Sequence, residues 1–294
     1  MRVVYVAKHH QKDSNDDEGA IAHALTQLGH RVVLVPESQG ATPPRGDILL
    51  FHKWSNTDQL KKLNGKMLRA FWYFDLVGTC GDSSYIQRSA ARMRWMHAVT
   101  PNVDIGFCTD GDWVDEDLTG KLRTLHQGFD SRLEAEEAEK QVFPMLFVGG
   151  LPNGSVRAQR FQELKQEYGD QLVHMSSGVY RESLAVALAS AAISVALDSP
   201  VTNRYWSNRV YNSCGLGAFT LHPYCAELAE EYQEGKEIAF YSCPQEFREK
   251  VLYYSRNAEQ RQAVAQRGRA RTLKDHTYYN RCKELMKLIK EAGA

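Results

Sequence analysis

The residues best suited to chemistry lie in the second half of the chain. Gly149-Gly150 follows the apolar run Pro144-Met145-Leu146-Phe147-Val148 and precedes a helical pattern, with Arg157 and Arg160 just downstream. Glycines at a strand end let the backbone approach a phosphate closely, and the arginines are its charge partners. The same pair also reads as a plain turn. A second run, from Ser207-Asn208-Arg209 through Asn212 and Gly215 to Leu221, packs a capping Ser/Asn, an arginine and a glycine-terminated helix into one short unit. Such a helix start places a positive pole beside a guanidinium that can donate two parallel hydrogen bonds, which suits a diphosphate leaving group. Asp110-Gly111-Asp112 has the spacing of a metal-binding Asp-x-Asp. It sits in the other half, against a helix start at Trp113, so we read the carboxylates as caps and expect no metal site.

The elements that must position these residues follow a βα rhythm. Strands are predicted at Arg2 to Ala7, Arg31 to Pro36, Asp47 to His52, Lys66 to Phe74, Asp104 to Cys108 and Arg123 to Gln127, with helices over Asp17 to Leu28, Asp58 to Leu63 and Ser84 to His97. After an acidic connector, Glu134 to Lys140, the rhythm restarts. Strands are predicted at Pro144 to Val148, Leu172 to His174, Ile193 to Leu197 and Ala218 to Leu221, with helices at Arg157 to Tyr168, Arg181 to Ala191 and Asn208 to Gly215, and helix to the end. The fold class is therefore α/β, with two Rossmann-like domains facing a central cleft. We divide the 294 residues into 1–138, a first Rossmann-like domain, 139–275, a second, and a final helix over 276–294.

Composition narrows the function classes. Hydrophobic residues are 43% and charged residues 24%, and no run approaches the roughly 20 apolar residues of a membrane span. The start, Met1-Arg2-Val3-Val4-Tyr5-Val6-Ala7, reads as a buried strand rather than a signal peptide, so a soluble cytoplasmic protein without membrane insertion is expected. The six cysteines show no metal-ligand spacing and are expected to be reduced thiols. Net charge is zero, so no global field draws the protein to nucleic acid. The basic stretch Arg261 to Lys290 is interleaved with acidic and apolar residues and reads as solvated helix faces.

From Ser207 to Tyr241 the chain resembles GT-B glycosyltransferases related to the spore-maturation-protein group. Their pattern runs Arg-x-Tyr/Phe-Glu, a glycine turn, Phe-Leu-Leu, a helix and Gly-Lys-Glu-x-x-x-Tyr. Here the elements read Arg209-Val210-Tyr211-Asn212, Gly215-Leu216-Gly217-Ala218-Phe219-Thr220-Leu221 and Gly235-Lys236-Glu237-Ile238-Ala239-Phe240-Tyr241. Arg267-Gly268-Arg269-Ala270-Arg271, His276-Thr277-Tyr278 and Arg281 are similar to that family's closing segment. The resemblance implies GT-B architecture with the last helix crossing back to the first domain. It further implies transfer of a sugar from a nucleoside-diphosphate sugar, with UDP-sugar the expected co-substrate and no other cofactor. Donor contacts are assigned to Gly149, Gly150, Arg157, Val179, Tyr180, Ser207, Asn208, Arg209 and Asn212, with Val179 and Tyr180 at the nucleobase. Asn212 stands where the family has a ribose-binding Glu. The pair of Glu eight positions apart common in retaining relatives falls here on Arg204 and Asn212, so the reading is inversion.

Inversion needs a base near the acceptor hydroxyl. The first half offers His9 and His10 past the first strand, Asp16, Asp17 and Glu18 at a helix start, and Asp75 after the strand Phe71-Trp72-Tyr73-Phe74. The catalytic candidates are Asp75, His10 and Glu18, Asp75 first, because the acidic trio also reads as helix-capping charge. The acceptor is a glycan or small-molecule hydroxyl, or a hydroxylated DNA base of the phage type stacked on aromatics such as Trp54, Trp72 or Trp95. The alternative is a non-catalytic nucleotide-binding module with a degenerate GT-B fold, favoured by Asn212.

Overall fold

The computed structural model describes residues 1–8, 17–37, 43–54, 60, 67–78, 83–134, 141–176, 178–198 and 201–293. The expected helix over Asp58 to Leu63, apart from Leu60, and the connector after Glu134 lie outside the described residues.

The first half forms a parallel sheet in the order β2-β1-β3-β4-β5-β6, from β1 Arg2–Ala7, β2 Arg31–Pro36, β3 Ile48–Phe51, β4 Leu68–Tyr73, β5 Ile105–Cys108 and β6 Leu122–Thr124. Helices α1 Asp17–Gln27, α2 Ser83–Val99 and the short α3 Gly111–Asp115 accompany it. Central strands β3 and β5 are buried at every position, as continuous apolar runs covered on both faces should be.

The second half forms another parallel sheet, ordered β11-β10-β9-β7-β8. Its strands are β7 Phe143–Val148, β8 Leu172–Met175, β9 Ala191–Val195, β10 Thr220–Pro223 and β11 Ala239–Tyr241. Helices are α4 Val156–Tyr168, α5 Arg181–Ala189, α6 Arg209–Gly215, α7 Ala226–Glu231, α8 Pro244–Arg256, α9 Ala258–Asp275 and α10 Tyr278–Ala292. Strand β11 replaces part of what reads as helix in the sequence. Three residues at a sheet edge are too few for strand periodicity to show.

Strand order reverses beside β1 in one sheet and beside β7 in the other. Crevices open at the carboxyl ends of strands at such switch points. Strand β7 runs into Gly149-Gly150 and β1 runs into Lys8, so both crevices can be furnished by the loops the sequence singles out.

Helix α10 returns to the first unit. Tyr278, Cys282, Leu285, Met286 and Ile289 share one core with Ala20, Ile21, Ala24 and Leu25 of α1 and with strands β1, β3 and β4. Its hydrophobic spacing of three and four residues supplies that face. The loop after β6 is held between the halves. Phe129 donates its N–H to the His276 carbonyl at 2.8 Å and accepts from Tyr278 N at 3.0 Å, while its ring lies in the core of the second unit. His126 stacks on Trp206 with ring centroids 3.8 Å apart. No helix among the described residues is long and apolar enough to cross a membrane.

Gly215 lies in α6 under the Phe129 ring, and a Cβ there would meet ring carbons at 2.5 to 2.8 Å. Alanine in place of a helical glycine ordinarily gains up to about 1 kcal/mol. Here overpacking reverses the sign, and Gly215→Ala is expected to lose about 1–3 kcal/mol in urea unfolding.

Candidate functional site between the two sheets

A pocket of about 220 Å³ opens at the carboxyl ends of β7 and β9 in the second unit. Seven of the nine residues assigned to the donor line it: Gly149, Gly150, Val179, Tyr180, Asn208, Arg209 and Asn212. Gly149 has φ +152°, and a Cβ there would meet Arg209 Nε at 3.0 Å and the Phe147 ring at 3.1 Å. Glycine thus permits the Arg209 side chain to lie across the end of β7. The other two residues, Arg157 and Ser207, line an adjoining cavity of about 390 Å³ between the units. Asn208 and Arg209 line both.

The expected helix pole at Ser207-Asn208 takes a different form. Helix α6 spans only seven residues, and the Asn208 side chain makes no capping bond. Its amide instead reaches across the cleft to Asp17, with Nδ2 3.3 Å from both carboxylate oxygens. The Ser207 hydroxyl donates to Asp198 at 3.1 Å and accepts from Arg209 at 2.8 Å. Positive charge here therefore comes from side chains rather than from the helix end.

Asp198 organises those side chains. It is 4% exposed and lies just beyond β9. Its carboxylate accepts from Arg209 at 3.2 Å, from His222 Nε2 at 3.2 Å, and from the Ser207 N–H at 3.3 Å. Burial alone would raise this carboxyl, but His222, Arg209 and Arg157 hold it well below the usual carboxylate range. Arg157 is fixed by donating Nε to the Leu197 carbonyl at 2.7 Å.

The first unit faces these cations with carboxylates. Asp17, Glu18 and Asp75 line the larger cavity, with Lys8, Glu37, His52 and Lys53. His10 and Asp16 lie outside the described residues. Asp75 is ion-paired to Lys53 and lies 3.7 Å from Arg92. Among the described residues no cation is ion-paired to Asp17. It accepts from Gln127 Nε2 at 3.1 Å and from Asn208, and its withdrawal from water pushes it up to about 7, with Glu18 and Asp130 adding in the same direction and the Tyr278 and Asn208 hydrogen bonds opposing. Asp110, away from this cavity, caps α3 by accepting from Trp113 N at 3.2 Å and also accepts from Val77 N and Gly78 N.

Asp198 and His222 escape a reading of the sequence, and Asp17 is offered there as a base within an acidic trio but ranked behind Asp75 because the trio also reads as capping charge. Asp198 carries the same signal as Asp75, a carboxylate directly after an apolar strand. His222 falls just past the strand predicted at Ala218 to Leu221 and has no signal of its own.

Residues 130–287 match the family described as Glycosyl transferase-like, more than half of the 294 residues. The chain belongs to that family. No curated protein matches it by sequence. Among solved structures it is similar to a sucrose-phosphate synthase from Thermosynechococcus elongatus, with TM-score 0.71, 10% identity and 99% of each chain covered. It is also similar to Anabaena HepE in complex with UDP-glucose, with TM-score 0.66, 8% identity, and 99% of this chain and 100% of that one covered. An α-glucosyltransferase in complex with UDP and a 13-mer DNA gives TM-score 0.62 at 10% identity, covering 99% of this chain and 100% of that one. At such identities the likeness is one of fold. The protein is a glycosyltransferase of GT-B architecture, and the family match spans every residue assigned to the donor side.

In this glycosyltransferase, Asp17 links the cleft to stability. Its folded-state pKa of about 7 stands above the ordinary 3.8, so the native protein binds the proton more tightly than the unfolded chain. The stabilisation is complete below about pH 4 and is lost as pH rises towards 7. Asp17→Asn is expected to leave the unfolding midpoint nearly unchanged at pH 4 and to raise it at pH 8, as read by differential scanning calorimetry.

Proposed function

We propose that the protein transfers a sugar from a UDP-sugar to an acceptor hydroxyl within the cleft between the two units. The observation that carries this reading is that one cavity is faced by guanidinium groups from one side, Arg157 and Arg209, and by carboxylates from the other, Asp17, Glu18 and Asp75. The bond from the anomeric carbon to the diphosphate oxygen breaks as the acceptor oxygen attacks that carbon. UDP leaves with the bonding electrons, and the acceptor proton passes to a base. Arg157 and Arg209 supply the charge that a divalent ion would otherwise bring, so the reaction is metal-independent. The pocket at Gly149, Gly150, Val179, Tyr180 and Asn212 takes the nucleotide, as the family resemblance to the spore-maturation-protein group implies. UDP and UDP-glucose in the HepE structures support the choice of donor.

We read the transfer as inverting, by a single displacement. Asp17 is the carboxyl best suited to take the proton, because among the described residues no cation is paired to it and its pKa lies near neutrality. Asp75, tied to Lys53 and close to Arg92, is suited to fixing the acceptor in place, with Glu18 beside it. The acceptor is a glycan, a small molecule or a hydroxylated DNA base, the last supported by the DNA in complex with one structural neighbour. A DNA acceptor requires binding that weakens steeply with salt. The enzyme is taken to work in the cytoplasm.

The reading is tested by measuring UDP release from UDP-sugars with and without acceptors. Turnover with at least one donor is expected, and Arg209→Ala should lower it about 100-fold or more. Asp17→Asn should lower kcat about 100-fold or more while donor binding persists. Asp75→Asn should abolish transfer and likewise spare donor binding, and unchanged turnover would remove Asp75 from the site. A product anomer of the same configuration as the donor, read by proton NMR, would exclude the displacement and with it the base role of Asp17.

A further inference from the structure

The cations at the proposed diphosphate site do not stand alone, because Asp198 lies against Arg209 and would cancel its charge. Behind Asp198 is His222, on β10 and 2% exposed. Its Nδ1 lies 2.7 Å from the Pro223 carbonyl oxygen and its Nε2 lies 3.2 Å from the Asp198 carboxylate. Both partners only accept hydrogen bonds, so making both bonds requires a proton on each ring nitrogen, and the ring is then an imidazolium. Among the described residues these two oxygens are the hydrogen-bond partners of the ring nitrogens. The buried edge of Phe240 packs against the ring at right angles.

We propose that His222 is a positioning residue of the donor site, countering the Asp198 carboxylate from behind so that Arg209 and Arg157 keep their charge for the diphosphate. The inference rests on reading the pocket as a nucleoside-diphosphate site. The Asp198 carboxylate accepts from Arg209 at 3.2 Å, a bond that an amide oxygen can also accept, and the imidazolium offsets the carboxylate's electrostatic effect. The Cys225 thiol is pushed up to about 11 by burial and stays neutral. The Tyr241 hydroxyl donates to the Ala196 carbonyl at 3.1 Å, and burial raises it further, so it too stays neutral. Arg160 reaches only the Asp198 backbone oxygen, at 3.4 Å.

The test compares binding of UDP and of uridine by calorimetry in the wild type, His222→Gln, Asp198→Asn and the double variant. Glutamine can replace the hydrogen bonds but not the charge. His222→Gln is expected to weaken UDP about tenfold and leave uridine unchanged, because only the phosphates feel the lost charge. Asp198→Asn should bind UDP more tightly than the wild type, an effect that a folding defect cannot imitate, and the double variant should recover most of the affinity lost in His222→Gln. UDP bound equally by the wild type and His222→Gln would overturn the proposal, as would parallel losses of UDP and uridine or a double variant weaker than either parent. Failure of the wild type to bind UDP at all would instead remove the donor reading on which the proposal stands.

Discussion

The width of the cleft depends on one buried guanidinium shared by both halves of the molecule. Arg281, on the helix that returns to the first unit, donates to the Tyr211 hydroxyl at 3.0 Å, to Glu231 at 3.1 Å and to the Gln127 carbonyl at 3.1 Å. Tyr211 belongs to α6, whose first residue is Arg209, and Gln127 belongs to the loop that holds Asp17. The Tyr211 hydroxyl donates to Glu231 at 2.6 Å and accepts from Trp206 Nε1 at 3.0 Å. Arg209 and Asp17, which line the same cavity, are therefore both referenced to the Arg281 guanidinium. Removing one partner from such a network leaves the others unpaired in the interior, which typically costs about 3–5 kcal/mol.

The network also explains why the surrounding histidines are neutral. Burial lowers His126 to about 3 and lowers His276, despite the nearby Glu231 carboxylate. Arg281 already supplies the positive charge that Glu231 requires, and a second cation there would go uncompensated. His222 differs in its surroundings, because the Asp198 carboxylate faces its Nε2 directly at 3.2 Å and the Pro223 carbonyl oxygen lies 2.7 Å from its Nδ1.

Much of this was legible in the residues. The restart of the strand rhythm at Pro144, the glycines at 149 and 150 and the run from Ser207 to Asn212 pointed to the second unit as the donor side, and the structure gathers those residues around one pocket and its rim. What escaped was pairwise. A carboxylate at a helix start, Asp17, reads as a cap until Gln127 and Asn208, 110 and 191 residues away, are seen to bond it. Asp75 looked like a lone carboxylate after a strand until Lys53 and Arg92 were found beside it. Sequence periodicity reports which face a residue occupies, but not which distant side chain shares that face.

A cleft that binds a nucleoside diphosphate through side-chain cations needs no divalent ion to do so. Thermal unfolding of the protein with UDP, with other nucleoside diphosphates and with UDP-sugars, in EDTA and again in Mg²⁺, tests it most directly. A ligand at about 100 times its dissociation constant stabilises the native state by about 2.7 kcal/mol, which raises the midpoint by several degrees. The account predicts a selective shift with UDP that is the same in EDTA as in Mg²⁺. A shift seen only with Mg²⁺, or none with any nucleotide, would contradict it.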